Sequence, residues 1–257
     1  MLMAVDIGNT QINVGIFDGN NLLFHNRFST DSKKTEDEFA AMLLYLLSRK
    51  GITSDNIKML IISSVVPNIT LMFRRFSKYY LNLEPMIVDV GIKTGIMLRF
   101  ENPKEIGADR IVNAVAVDGY FGVPAIVVDF GTATTFDIIN ENREYIGGII
   151  TPGIELTANM LHIKTAKLPE VEITKVDRVV GKNTINSIKS GIYFGYLSMI
   201  DGIIDRIIEE QHFNRHELKV VATGGLGDIF LGASKYIKIY EPFLTLNGLR
   251  LIYEKNL

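Results

Sequence analysis

The sequence predicts an α/β protein built from two similar halves, each of which opens with three β-strands and a helix. Three β-prone runs separated by turn residues begin the chain, and helices alternate with strands after them. A short motif then recurs. Val-Asp-Ile-Gly-Asn-Thr at 5–10 corresponds to Val-Asp-Phe-Gly-Thr-Ala at 128–133, nearly half the chain away. Duplication of one unit explains this repeat, and it predicts domains of residues 1–119 and 120–257.

Turn residues and apolar spacing define the elements of the first half. Thr35 precedes acidic residues and apolar positions at helical spacing, which is typical of a helix start. The apolar run at 57–66 is typical of a buried parallel strand, and Pro67 opens the helix after it. The predicted strands are 2–7, 12–17, 21–28, 57–66 and 85–90, and the predicted helices are about 35–51, 67–81 and 108–120.

The second half repeats this order. Pro152 is expected at the first helical position, where a missing N–H costs nothing. The polar stretch 165–182 reads as a loop between two helices. The predicted strands are 125–130, 134–140, 145–150 and 218–222, and the predicted helices are about 152–161, 183–211 and 245–253.

Composition narrows the class of function. The 257 residues include 27 Lys and Arg against 29 Asp and Glu, for a net charge of −2, and no basic stripe is present. We therefore expect no nucleic-acid partner. Cysteine is absent, which excludes disulfides and thiol chemistry. Polar residues interrupt the most apolar stretch, and the N-terminus lacks a basic region, so we expect no membrane partner and a cytoplasmic location.

The repeated Asp-x-Gly turn has two interpretations. Gly and Asn between two strands are the ordinary signal of a hairpin turn. However, a turn does not require an acid at the end of a buried strand, and both copies have one, Asp6 and Asp129. A buried carboxylate needs a cation partner, and a Gly-rich turn followed by Thr offers N–H groups and a hydroxyl to phosphate. We therefore interpret the two Asp-x-Gly turns together as a polyphosphate-binding site whose acidic side chains also hold cations.

Two further motifs leave alternatives open. In Gly107-Ala108-Asp109-Arg110, Asp109 either caps the helix that follows or acts as a base beside an anion-binding Arg110. The turn Thr223-Gly224-Gly225 is either a helix entry or a place where backbone approaches a nucleotide closely. Walker and G-x-G-x-x-G motifs are absent from the sequence, which argues against P-loop and Rossmann folds.

In order and spacing, these motifs together resemble type III pantothenate kinase. The motifs that carry the resemblance are Asp6-Ile7-Gly8-Asn9-Thr10, Gly107-Ala108-Asp109-Arg110, Asp129-Phe130-Gly131-Thr132-Ala133, Gly147-Gly148 with Pro152-Gly153, Gly181 with Asn183-Thr184, Thr223-Gly224-Gly225 and Leu244-Thr245-Leu246. The resemblance covers essentially the whole chain. It implies two ribonuclease-H-like domains in tandem, as in the acetate kinase, sugar kinase, Hsp70 and actin superfamily.

The resemblance also implies an activity. Family members transfer the γ-phosphoryl group of ATP to the 4′-hydroxyl of pantothenate, the first step of coenzyme A biosynthesis. They are homodimers that use Mg²⁺ and a monovalent cation, K⁺ or NH₄⁺. The alternatives are a kinase for another small alcohol on the same fold and a non-catalytic ATP-binding accessory transcription regulator.

Site roles carried over from the family follow its motifs. Asp109 corresponds to the catalytic base, Asp129 to the monovalent-cation ligand, and Asp6 lies near Mg²⁺. The residues matching ATP contacts are Asp6, Ile7, Gly8, Asn9, Thr10, Gln11, Ile12, Asn13, Thr132, Thr223, Gly224 and Gly225. The residues matching substrate contacts are Phe100, Gly107, Ala108, Asp109, Arg110 and Thr184. Phe100 departs from the pattern, because family members commonly have Tyr there.

Overall fold

A computed structural model describes residues 1–89 and 91–257 of the chain. The strands are β1 Leu2–Ile7, β2 Gln11–Asp18, β3 Asn21–Ser29, β4 Met59–Ser64, β5 Met86–Ile87, β6 Met97–Leu98, β7 Ala125–Phe130, β8 Ala133–Ile139, β9 Glu144–Pro152, β10 Lys219–Gly224 and β11 Ile239–Tyr240. The α-helices are α1 Glu36–Ser48, α2 Pro67–Phe76, α3 Ala108–Tyr120, α4 Ile154–Lys164, α5 Thr184–Gln211 and α6 Leu244–Lys255.

The chain folds into two compact units. The first contains Met1–Ile96, Phe100–Gly119 and Leu244–Leu257, and the second contains Met97–Arg99 and Tyr120–Phe243. The division predicted at residue 120 assigned the C-terminal helix to the second domain. In the structure α6 packs in the first unit instead, where Gly248 lies against the backbone of Val112 so closely that a Cβ would collide with its carbonyl oxygen.

The first unit is built on a five-stranded sheet in the order β3-β2-β1-β4-β5. β1 runs antiparallel to β2 and parallel to β4. Alternate residues of β1 (Met3, Val5 and Ile7) join a buried apolar cluster that includes α1 and α2. Thr35 caps α1 in a reciprocal capping box with Glu38, as its position before an acidic first turn indicates.

The second unit repeats this arrangement on a six-stranded sheet in the order β11-β10-β7-β8-β9-β6. β7 runs antiparallel to β8 and parallel to β10, just as β1 does with β2 and β4. Its core lies between this sheet and the helices α4 and α5. The two units thus share the strand-strand-strand-helix opening, followed by a parallel strand, which confirms the predicted α/β class and the repeat.

Several local predictions require correction. Pro152 is the last residue of β9, paired with Ala133, so it cannot begin a helix; Gly153 is the N-cap and α4 starts at Ile154. The strand predicted at 85–90 is reduced to β5, and Val90 lies outside the described residues. The two-residue strands β6 and β11 were not predicted, because so short a pairing leaves no periodic pattern.

Within residues 1–89 and 91–257, we find no helix with the length and apolar character needed to cross a bilayer.

Candidate active site

The first Asp-x-Gly turn lies at the carboxyl end of β1. Its backbone closes through a hydrogen bond from the Gly8 N–H to the carbonyl of Gln11, at 3.0 Å. The end of β3 braces the turn, since the Thr30 hydroxyl donates to the Gly8 carbonyl at 2.7 Å and the Thr30 N–H donates to Thr10 at 2.9 Å. Asn9 and Thr10 are exposed at its tip. The turn is therefore held rigidly with its tip open to a ligand.

Asp6 lies beside the end of a parallel strand. In the register of β1 and β4, Asp6 is opposite Ser63, so both side chains point to the same face of the sheet. Asp6 is partly buried and Ser63 is fully buried. The Ser63 hydroxyl has no hydrogen-bond partner in the part of the chain that the structure describes. A hydroxyl with spare hydrogen-bonding capacity thus occupies the strand position next to Asp6.

Asp109 is in the first turn of α3, the helix that begins at Ala108. The N-cap interpretation is therefore wrong, because Asp109 lies inside the helix and Gly107, whose carbonyl accepts from the Arg110 and Ile111 N–H groups, is the residue that precedes it. One Asp109 oxygen, Oδ1, accepts a hydrogen bond from the Arg110 N–H at 2.9 Å. Burial raises the pKa of the Asp109 carboxyl, and the hydrogen bond and charge of Arg110 oppose that rise.

Gly107 explains how the carboxylate reaches this position. A Cβ on Gly107 would collide with Oδ1 of Asp109 and would lie 3.5 Å from Cγ1 of Val65. Val65 follows directly after β4, two residues beyond Ser63, which is paired with Asp6. The end of β4 therefore lies beside both the Asp6 turn and the start of α3 within the first unit.

The second Asp-x-Gly turn has the same location in the second unit, at the end of β7. The Gly131 N–H donates to the carbonyl of Ala133 at 3.1 Å. Gly131 and Thr132 are exposed. Gly153 stands against the turn, and any Cβ on it would collide with the backbone oxygen of Thr132 and lie 2.6 Å from that of Gly131. Close packing of Gly153 thus supports this turn, as the hydrogen bonds of Thr30 support the turn in the first unit.

The strand β10 lies beside Asp129 in the sheet. Thr223 is opposite Asp129 in register, and Gly224 is opposite Phe130. Gly224 has a φ of +86°, and a Cβ there would lie 2.7 Å from Oδ1 of Asp129 and 2.6 Å from the carbonyl oxygen of Phe130. A carboxylate oxygen and a backbone oxygen thus converge on one small space that only glycine leaves open.

The remaining predicted residues differ in what they can offer. Ile7 and Ile12 are in the apolar core, so only their backbone can contact a ligand. Thr184 is exposed as the first residue of α5, after the N-cap Asn183. Phe100 is partly buried and follows β6. The predicted residues fall into two sets: 6–13, 100 and 107–110 in the first unit, and 129, 132, 184 and 223–225 in the second.

Sequence reasoning missed the residues that support these turns. Ser63 has the position in β4 that Thr223 has in β10, but this correspondence appears only in the strand register, so no sequence signal marked it. Gly153 was recognised as part of a motif but received no role. No periodic signal marks Thr30, since its contact depends on how β3 returns to the turn.

Metal binding at the candidate site depends on the oxygen donors at the two strand ends. Over residues 1–89 and 91–257, no cluster of three or more His, Asp or Glu side chains forms a ready-made metal cage. At each strand end the donors include one carboxylate and a neighbouring hydroxyl or carbonyl oxygen. Mg²⁺ suits such a site, because it is commonly held by one or two carboxylates together with substrate phosphates and water.

Known structures share this architecture. A Campylobacter jejuni protein described as a Baf family transcriptional activator is 18% identical with a TM-score of 0.63, covering 99% of this chain and 98% of that one. The ADPNP-bound activator of 2-hydroxyisocaproyl-CoA dehydratase from Clostridium difficile is 11% identical, with a TM-score of 0.55 and coverage of 98% and 94%. The ethanolamine utilization protein EutJ from Carboxydothermus hydrogenoformans is 14% identical, with a TM-score of 0.54 and coverage of 97% and 89%.

At these identities the likeness establishes the fold and not the activity. It confirms the actin-like ATPase fold with two tandem domains. The activity follows from a second comparison, in which the family model described as type III pantothenate kinase matches residues 2–206. That range contains both Asp-x-Gly turns and Asp109. The chain therefore belongs to the type III pantothenate kinase family, the enzymes that phosphorylate pantothenate with ATP at the start of coenzyme A biosynthesis.

Proposed function

We propose that Asp109 is the catalytic base of this kinase and accepts the proton of the 4′-hydroxyl of pantothenate as that oxygen attacks the γ-phosphorus of ATP. The observation that carries this proposal is the environment of Asp109. The carboxylate is partly buried, one oxygen is held by the Arg110 N–H, and burial raises its pKa towards the range useful for a base. Phosphoryl transfer needs little more from the protein than such positioning and charge neutralisation.

The second element of the proposal concerns phosphate binding. We assign the backbone and polar side chains of the turn at 6–13 to ATP, together with Thr132 and the turn at 223–225. Exposure of Asn9, Thr10 and Thr132 at the tips of braced turns supports this assignment. Backbone N–H groups of such turns form anion-binding concavities.

Asp6 is assigned to the vicinity of Mg²⁺. Its support is the neighbouring Ser63, opposite Asp6 in register, whose buried hydroxyl has unused hydrogen-bonding capacity among the described residues. Mg²⁺ supplies positive charge to the phosphates when it is bound. Asp6 alone cannot complete an octahedral shell, so phosphate and water oxygens would supply the other ligands.

Asp129 is assigned to the monovalent cation, K⁺ or NH₄⁺. The convergence of its Oδ1 and the Phe130 carbonyl beside Gly224 supports this role, because these are the oxygen donors such an ion takes.

We assign to pantothenate the residues Gly107, Ala108, Arg110, Thr184 and Phe100. For Phe100, the absence of a Tyr hydroxyl weakens binding by a factor of about 2 to 12 if that hydroxyl bonds pantothenate in relatives.

A homodimer and a cytoplasmic location complete the proposal. Leu156, Met160 and Ile163 of α4 are 48%, 37% and 67% exposed. Their spacing places them on one side of the helix, which leaves an apolar stripe on the second unit. A second copy of the chain is the proposed partner for this stripe. Sedimentation equilibrium measures whether the protein is a dimer in solution.

Release of ADP, followed with a coupled assay, tests the assigned function and the cation site together. With ATP and Mg²⁺, turnover is expected to require both pantothenate and K⁺, with Na⁺ a poor substitute. Asp129→Asn removes a charged contact to the ion, so we expect activity in K⁺ to fall about 10- to 150-fold and the preference over Na⁺ to disappear.

The matched control for Asp129→Asn is Glu209→Gln, the same loss of charge at an exposed position of α5. ATP binding without pantothenate-dependent turnover in either salt would contradict the kinase assignment. Turnover of Asp129→Asn that keeps its K⁺ preference would instead remove only Asp129 from the cation site.

The pH dependence of kcat/KM tests the protonation state of Asp109. The base must be ionised, and burial raises its pKa, so activity is lost as pH falls through that raised pKa. We expect the acid limb to lie above the ordinary Asp value of about 3.9. A profile whose acid limb coincides with that of an exposed aspartate would contradict the assigned environment.

A further inference from the structure

A chain of hydroxyl groups connects the long helix α5 to the residues that brace the second turn. Tyr196, which is buried in α5, donates its hydroxyl to the Pro152 carbonyl at 2.9 Å. The same oxygen lies 2.5 Å from the Thr157 hydroxyl in α4, and that hydroxyl lies 3.0 Å from the Gly153 carbonyl. Whichever hydroxyl donates, Tyr196 is tied to the link between β9 and α4.

That link is in direct contact with the turn of the proposed ATP site. Pro152 is paired with Ala133, which follows the turn, and Thr151 donates its hydroxyl to the Thr134 carbonyl at 3.1 Å. Gly153 leaves no room for a Cβ beside the Thr132 backbone oxygen. The position of the Gly131–Thr132 turn therefore depends on where Pro152 and Gly153 are held.

We infer that Tyr196 is a positioning residue for the nucleotide, acting through Thr157, Pro152 and Gly153 on the exposed Gly131–Thr132 turn. This inference rests on the proposed ATP contact of Thr132. The tyrosine touches no ligand itself. Its hydroxyl ties the turn to a 28-residue helix packed in the core of the second unit, so the turn does not have to be ordered when ATP binds.

Tyr196→Phe tests the inference because it keeps the ring and removes only the hydroxyl. We expect the KM for ATP to rise about 2- to 12-fold, as for loss of one ordinary hydrogen bond. The KM for pantothenate should stay within about twofold. Thr157→Val should have the same effect, Thr157→Ser should restore the wild-type value, and the Tyr196–Thr157 double variant should be no worse than about the larger single effect.

Tyr193→Phe is the matched control. It removes a hydroxyl from the same helix, one turn away, where the ring stacks on Phe230 rather than bonding to Pro152. Equal KM values for ATP in Tyr196→Phe and Tyr193→Phe would overturn the inference. So would a KM for pantothenate that rises in parallel with that for ATP, since a general loss of structure has that effect.

Hydrogen exchange separates this inference from the proposed ATP contact. In the absence of nucleotide, amides of 131–134 should exchange faster in Tyr196→Phe than in wild type or Tyr193→Phe. Unchanged exchange at these amides overturns the positioning role. Thr132→Val tests the ATP contact by itself, and a wild-type KM for ATP in that variant would contradict the proposed contact without changing the exchange result.

Discussion

Asp109→Asn is expected to lower kcat by about 10² to 10⁴, the usual contribution of a positioned general base. The amide has nearly the same size and can still accept the hydrogen bond from the Arg110 N–H, so binding of ATP should be largely retained. Steady-state kinetics with both substrates and a separate measurement of nucleotide binding distinguish loss of the base from loss of the site.

A separate prediction concerns the stability of the Asp109→Asn variant. Burial raises the pKa of Asp109 in the folded protein, so ionising its carboxyl lowers the free energy of unfolding. This loss of stability is absent at low pH, where the carboxyl is protonated in both states, and is complete once the pH exceeds the raised pKa. Asn carries no charge to bury. At neutral pH the free energy of unfolding of Asp109→Asn should therefore equal or exceed that of wild type.

Asp55→Asn is the control, the same change at an exposed position of the first unit. It should leave both kcat and stability near the wild-type values. A kcat for Asp109→Asn close to that of Asp55→Asn would remove Asp109 from the role of base. A marked fall in the melting temperature of Asp109→Asn would instead show that the ionised carboxylate stabilises the fold.

Gly224→Ala is expected to destabilise the second unit strongly. The residue has a φ of +86°, and the new Cβ would lie 2.6 Å from the Phe130 carbonyl oxygen and 2.7 Å from Asp129 Oδ1. The left-handed backbone alone costs an alanine about 1–2 kcal/mol, and the clash with backbone adds to it. We expect a fall in melting temperature of at least about 4 °C and loss of the K⁺ dependence of turnover.

Its neighbour provides a matched control within the same turn. A Cβ on Gly225 meets nothing within 4 Å. Gly225→Ala should accordingly change the free energy of unfolding by no more than about 0.5 kcal/mol. Thermal unfolding of the two variants side by side measures the difference, and equal melting temperatures would contradict the close approach described for Gly224.

Elements bounded by strong local signals were predictable. β1 and β7 have the limits predicted for them, because each apolar run ends at an Asp-x-Gly turn. The cap of α1 was likewise predicted from Thr35 and the acids after it. Pro152 shows where local reasoning fails, since pairing with β8 keeps this proline at the end of a strand and overrides its preference for the first helical turn.

The candidate site, too, was only partly predictable from local sequence signals. The sequence identified Asp6, Asp109 and Asp129 through the repeat and the family motifs. It could not indicate that Ser63 lies opposite Asp6, because strand register depends on pairing between residues far apart in the chain. Nor could it indicate the raised pKa of Asp109, which comes from burial in the folded structure.

By itself, the sequence determined the α/β class, the duplicated opening unit and the Asp-x-Gly turns, because each depends on residue types at short, regular spacing. It also carries the family resemblance, through motifs spread along most of the chain. Tertiary structure alone decided that α6 packs with the first unit, that Gly153 packs against the second turn while Tyr196 bonds to the Pro152 carbonyl, and that two oxygens approach Gly224. These are contacts between segments remote in the chain, and they form only when the sheets and helices pack together.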